Sequence, residues 1–539
     1  MTLPCRRLAL LLTSALLLAG GPSSLRGLDG LQSSAAGDRL KSIPPLVFRS
    51  GKATKGPVAT IHLEAPRQRV LGVGGALTEA SAFVLAHLPA DRRGHLLDEL
   101  FGPGGADLSL ARLPIGACDF CVKGKFSYDD VPGDTALTHF SLAPDQAGFP
   151  DALDPHYALL DLIRDARTRN PALKLLASPW TAPSWMKDNG AWYGEGRGGR
   201  LLPEHQATYA RYLVRYLQAM AAEGLPVWGL TPENEPLGNG GQWESMEFTA
   251  DAMQGFIRDH LGPALAGAGL GGVRLIQYDH NRDAHALAFA RATLGDPATA
   301  RFVWGTGLHW YGSTVDSRTD LLDQLRRDYP GKALLHTEGC VDAIGTEANA
   351  PGGRFRGWQD DAWWWAAEAQ DWGYTWAPPA EKKDHPPYAP VHRYARDLIE
   401  GFNHGFCAWL DWNLVLDQRG GPNHVGNFCA APVMVDLRSG TIYRTPLLDV
   451  LIHASRCLRP GSRVVPVDLP PRTPLRLLAT LSPDRRVLAI LAFNPSASPQ
   501  RWSLRLGRRT AETTLPPNAL QSFRVALGRA SRSRTPRVR

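Results

Sequence analysis

The stretch VWGLTPENEP, Val227–Pro236, decides how this chain is read. Val227 to Leu230 form a short apolar run suited to a buried strand. Two carboxylates flanking Asn234 follow it, held between Pro232 and Pro236. A strand buried on both faces belongs to a parallel sheet covered by helices. Glu233 and Glu235 then stand at its C-terminal end, and carboxylates there matter chemically only if the chain supplies a partner and a pocket. Seven further runs have the same form: VLGVGGAL (70–77), LSLARLPIG (108–116), LKLLASPW (173–180), VRLIQYDHN (273–281), VWGTGLHWY (303–311), ALLHTEGC (333–340) and GFCAWLDWNL (405–414). Amphipathic helical segments such as HQATYARYLVRYLQAMAAEG separate them. Eight strand–helix units closing on themselves predict an α/β fold, a (β/α)8 TIM barrel, in preference to an open doubly wound sheet.

A barrel makes a sharp demand: the tails of the runs must converge on one face. Those tails are Asp119, Trp180, Asn234 with Glu235, Tyr278, His309 with Tyr311, Glu338 and Trp412. A purely structural role predicts apolar or turn residues there, not repeated carboxylates and indoles.

Around the barrel, the chain divides by texture. Arg6 and Arg7, an apolar run and the small residues Ala19 to Gly21 have the order of a secretory signal peptide over 1–21, which implies a secreted or periplasmic protein. A linker is expected over 22–44. No later run reaches the ~18 apolar residues of a membrane span. N-terminal strands of a β-sandwich over 45–69 are expected to join a C-terminal sandwich over 432–527, with the barrel at 70–431 between them and a basic tail at 528–539. The net charge of +7 over 539 residues forms no Lys/Arg stripe interleaved with aromatics, so nucleic acid is not an expected partner. The 16 tryptophans offer indole faces for sugar C–H surfaces or for core packing. Six cysteines remain after Cys5. The single CxxC of Cys118 and Cys121 has no second pair and no histidines at metal spacing, so no metal or cofactor is expected. One or two disulfides and buried thiols are both open.

Cleaving a glycosidic bond needs a proton for the leaving oxygen and a partner for the developing oxocarbenium ion, and two carboxylates across the bond supply both. Glu235 and Glu338 end the fourth and seventh runs and face each other across a barrel mouth. A separation of about 5 Å makes one of them a nucleophile and the outcome retention. The acid needs a raised pKa, which burial and its neighbour's charge both favour. Asn234 is placed to hydrogen-bond the sugar 2-hydroxyl. Glu233 rivals Glu235 for the acid role, since alternate residues share a face. No GxSxG elbow, dinucleotide GxGxxG or Walker loop occurs. A metal-dependent barrel hydrolase would need more ligands than His309 and His336.

TPENEP, HTEGC, SPWTAPSWMKDNGAW, RLPIGACDF, GLHWY and DWNLVLDQRGGPNHVGNF resemble glycoside hydrolase family 30, specifically its glucosylceramidase-like branch, over nearly the whole mature chain. The resemblance implies that Glu235, after Asn in NEP, is the acid/base and that Glu338 is the nucleophile. It further implies that Asp119, Trp180, Asn234, Tyr311, Trp412 and Asn427 line the sugar pocket, with Arg112 and His309 in support. After NEP the chain departs from the lysosomal relatives: LGNGGQWESMEF carries Gly238, Gly240 and Gly241, and Trp243 is expected to supply an aromatic wall. The implied substrate is a carbohydrate or glycolipid: a β-1,6-glucan, glucosylceramide or a smaller β-glucoside. A β-xyloside specificity, or a non-catalytic carbohydrate-binding protein on the same scaffold, is the alternative.

Overall fold

The computed structural model describes residues 27–51, 56–193, 199–313, 315–342, 358–366 and 389–527. The signal peptide and the basic tail expected at the two ends lie outside them. Eight parallel strands close into a barrel in sequential order. They are Gly72–Ala76, Leu110–Ile115, Lys174–Pro179, Gly229–Leu230, Arg274–Asn281, Val303–His309, Ala333–Glu338 and Phe406–Asn413, so each of the eight runs contributes one. Helices follow them as covers, among them Gln206–Ala222, Ala284–Gly295, Pro390–Asn403 and Pro446–Cys457. Side chains alternate along each strand. Leu110, Leu176, Ile276, Leu335 and Leu410 fill the barrel floor, while Ala111, Leu175, Leu275 and Leu334 pack outward under the helices. The glycines of the first strand have a steric cause: a Cβ on Gly74 would lie 1.9 Å from the backbone oxygen of Leu110 on the second.

The sandwich is built from both ends of the chain. One sheet sets Gly27–Ser34 between Lys41–Ile43 and Ala519–Ala526 and continues through Val487–Asn494 and Arg476–Leu481 to Arg463–Val465. The other joins Arg49–Ser50 and Val58–Ile61 to Val467–Asp468, Gln500–Leu506 and Arg509–Leu515. Two expected boundaries differ. Gly27–Ser34 and Lys41–Ile43 are strands inside the expected linker; GLDGLQSS has little intrinsic strand preference and is held by its two neighbours. Val433–Asp436 and Thr441–Arg444 form a hairpin beside Val415–Asp417 rather than in the sandwich, because a hairpin shows the same period wherever it docks. No helix among the described residues is long and apolar enough to cross a membrane.

Candidate active site

Two residues above the barrel floor, inward positions turn polar. Arg112, two on from Leu110, is completely buried and binds three partners: Glu338 Oε2 at 2.5 Å, Asn234 Oδ1 at 2.7 Å and Asp279 Oδ2 at 2.8 Å. Ser178, two on from Leu176, also donates to Asp279, at 3.0 Å. A buried guanidinium is tolerable only with such partners, and here it draws strands two, five and seven together with the segment after strand four. His309 completes the group, with Nδ1 3.1 Å from Glu235 Oε1 and Nε2 3.1 Å from Asp279 Oδ1. Tyr311 donates its hydroxyl to Glu338 Oε1 at 3.1 Å. Ligand atoms of Glu235, His309 and Glu338 all lie within 4.8 Å of one another. Three such groups could hold a cation in principle, but Arg112 already occupies one face of Glu338.

The charges of the cluster are set by this packing. Burial alone would lower His309, but Glu338, Asp279 and Glu235 outweigh it and raise the imidazole to about 9. Burial would raise Glu235, yet His280, His309 and Arg112 prevail and hold it below the ordinary carboxylate range. Glu338 goes the other way: burial raises it, joined by the charges of Glu235 and Asp279, against His309 and Arg112. This differs from the expectation of a raised acid at Glu235, because the positive charges that the fold places beside it, those of His309 and Arg112 above all, reverse the effect of burial.

The remaining expected residues fall into two groups. Trp180 and Trp412 stack with centroids 5.0 Å apart, and Arg112 lies 4.8 Å above the Trp180 ring. Asn427 donates to Asp119 Oδ2 at 2.9 Å. Burial, then the charge of Glu338, pushes Asp119 up to about 8. Trp243 is half-buried on the loop after strand four, and among the described residues no ring contact joins it to this indole pair. Tyr278 does not join the site. It packs against Phe289 of the helix Ala284–Gly295, and its hydroxyl donates to Asp283 Oδ1. Glu233 also points away, into a buried pocket where the Tyr209 hydroxyl donates to it at 3.4 Å. Sequence reasoning missed Asp279, His280 and the Glu244–His424 pair, 3.1 Å apart, whose His424 backbone N–H donates to the Asp119 carbonyl. The tail YDHN carried the only signal for the first two.

A closed parallel barrel with two carboxylates, a buried arginine and stacked indoles at its mouth is the architecture of a glycosidic-bond hydrolase. The model of the glycosyl hydrolase family 30 TIM-barrel domain matches residues 70–378 and 364–458. The chain belongs to that family, and it is a glycoside hydrolase. It is 30% identical to the lysosomal acid glucosylceramidase of Mus musculus, over 82% of this chain and 78% of that protein. It is 28% identical to an endo-1,6-beta-D-glucanase of Neurospora crassa, over 74% of this chain and 72% of that one. The crystal structure of SrfJ from Salmonella typhimurium superposes with a TM-score of 0.78 at 25% identity, covering 93% of this chain and 99% of SrfJ.

Proposed function

We propose that the protein is a retaining β-glucoside hydrolase in which Glu338 is the nucleophile and Glu235 the acid/base. The observation that carries this reading is the approach of the two carboxylates, with oxygens within 4.8 Å. That is too close to seat a water between them, as inversion at about 6.5–9.5 Å requires, and it suits direct attack on the anomeric carbon. Arg112 and Tyr311 both donate to Glu338, which orients it as the nucleophile and favours its ionised form against the burial that raises it. The proton for the leaving oxygen is held on His309, one hydrogen bond from Glu235 Oε1. As the bond breaks and the leaving oxygen gains charge, Glu235 gives that oxygen a proton and takes the His309 proton in its place, and His309 recovers it when Glu235 later deprotonates the attacking water. Once Glu338 is esterified its negative charge is gone, and Glu235 is left as the base that activates water. Trp180 and Trp412 stack on the sugar, while Asp119, Asn427 and Asn234 bind its hydroxyls; Trp243 borders the departing group. The relatives named for glucosylceramide and for 1,6-β-glucan support a β-glucoside substrate, and the charged, apolar, small-residue order of residues 1–21 supports export.

The test uses a fluorosugar inactivator and two variants. Labelling maps to Glu338 by peptide mass spectrometry, and Glu338→Gln loses turnover. Glu235→Ala slows substrates with poor leaving groups far more than activated aryl glucosides, and azide restores the latter. A label on another carboxylate, or equal loss on both substrate classes without rescue, refutes the assignment.

A further inference from the structure

Two cysteines beside the site take no part in the reaction as described. Cys340 ends HTEGC, two residues past Glu338. A Cβ on Gly339 would lie 2.7 Å from both Trp310 Cε2 and His336 Nε2, so a larger residue would collide with that indole where the chain turns. The turn is pinned by the Trp310 ring N–H, which donates to the Cys340 carbonyl at 3.1 Å, and by the Trp412 backbone N–H, which donates to the Gly339 carbonyl at 2.9 Å. Cys429 comes two residues after Asn427, and its backbone N–H donates to the Gly420 carbonyl at 3.0 Å. Beyond barrel strands seven and eight these two segments meet again. Val341–Asp342 pairs antiparallel with Cys429–Ala430, with Val341 opposite Ala430 and Asp342 opposite Cys429.

This short ladder brings two buried sulfurs together. Cys340 and Cys429 are both buried, with Sγ atoms 3.1 Å apart. A disulfide needs them to close by about 1 Å, to about 2 Å. Left as thiols the pair gains little, because S–H is a weak donor and sulfur a weak acceptor. Joined, they tie residues 89 apart in the chain, and a cross-link that closes so long a loop removes much entropy from the unfolded state. They also join two stretches of the site. On one side the Tyr311 hydroxyl lies 3.1 Å from Glu338 Oε1 and 3.4 Å from Cys340 Sγ. On the other, the Asn427 amide donates to Asp119 Oδ2 at 2.9 Å.

We infer that Cys340 and Cys429 form a disulfide in the exported enzyme, a tether that fixes the segment after the nucleophile against the one carrying Asn427. The oxidant is a disulfide of the oxidising compartment. One cysteine thiolate attacks it and expels a thiol, and the second cysteine's thiolate displaces the other half from the mixed disulfide. One S–S bond forms in the protein and one breaks in the oxidant, whose two thiols carry away both protons and two electrons. The tether requires the export implied by residues 1–21, but no step of the proposed glycosidase reaction, so its mapping does not depend on the roles of Glu338 and Glu235. The mature chain, residues 22–539, is produced in a bacterial host, once exported to the periplasm behind a host signal peptide and once retained in the cytosol. Each product is unfolded in guanidinium with iodoacetamide and no reductant, digested and mapped by mass spectrometry. Exported enzyme is expected to give the Cys340–Cys429 linked peptide, and cytosolic enzyme two alkylated thiols. The exported form melts about 4 °C higher and has a kcat/KM on p-nitrophenyl β-glucoside about threefold higher or more. Both differences vanish in the Cys340→Ser/Cys429→Ser double variant. Alkylated Cys340 and Cys429 in the exported wild type, or either sulfur linked to another cysteine, would overturn the tether whether or not the double variant folds. So would equal melting and turnover in the two wild-type products, or differences that persist in the double variant.

Discussion

At His309 one imidazole meets three carboxylates, and this sets both the chemistry and a measurable pH dependence. Its pKa is raised from an ordinary 6.5 to about 9 because Glu338, Asp279 and Glu235 overcome the cost of burial. A base whose folded pKa lies above its unfolded value adds stability that is fully present below the unfolded pKa and is lost as pH rises through the folded one. The stability difference between wild type and His309→Gln is therefore largest below pH 6.5 and shrinks as pH passes through about 9. Urea denaturation of both proteins across that range measures it. A difference that grows toward alkaline pH contradicts a protonated His309. The residue was legible as a strand-end histidine in GLHWY, but its charge was not, since the Asp279 that binds its far nitrogen comes from another strand.

Single elements show where periodicity is a sufficient guide and where it fails. All eight barrel strands were legible because each is a short run buried on both faces, and Leu110–Ile115 is buried at every position. Strand five broke the rule of two. Its left-handed pair exchanges Tyr278 for Asp279 at the interior, and nothing in YDHN announces two non-glycine residues at positive φ. Past the end of strand four, alternation left Glu233 and Glu235 on one face, and the structure separates them. Glu233 is wholly buried beside Tyr209, and burial raises it well above the ordinary range. Lys187 lies near enough to oppose that shift, and its ammonium donates to Thr181 and to the Ser245 carbonyl. An amide has the same shape as a neutral carboxyl, so Glu233→Gln is expected to keep kcat/KM within about threefold and to change stability by about 1 kcal/mol. Glu235→Gln, by contrast, is expected to lose ~100-fold or more on poor leaving groups. Comparable losses from the two changes would return Glu233 to the acid role.

Across the whole molecule, the sandwich keeps a core of its own while one of its sheets also packs into the barrel's apolar interior. In Val487–Asn494, Leu488, Ile490 and Ala492 fill the sandwich, while Ala489, Leu491 and Phe493 pack into the same cluster as Val70, Leu447 and Leu451 on the barrel side. That strand, read as one of several short alternating runs, is nearly all apolar because both of its faces are covered. The polar contacts across the seam are buried at His453 and half-buried at Arg39. His453 lies between Ser522 Oγ at 2.8 Å and Ser33 Oγ at 3.1 Å, and Asp449 accepts from Arg39 at 2.6 Å. His453 is pushed down to about 3 by burial and Arg456, so it stays neutral there. Two units that touch only through a polar surface melt separately, whereas a sheet with one face in each core couples them. Differential scanning calorimetry is therefore expected to give one transition with equal calorimetric and van't Hoff enthalpies. Leu491→Ala, which opens a cavity on the barrel-facing side of the sheet, should cost about 2–5 kcal/mol and move that single transition down as a whole. If the barrel were independent, the same change would split the trace, leaving a barrel transition at the wild-type temperature above an early sandwich melt. Activity followed through the ramp decides between them, since coupled cores make turnover disappear with the one transition in both proteins.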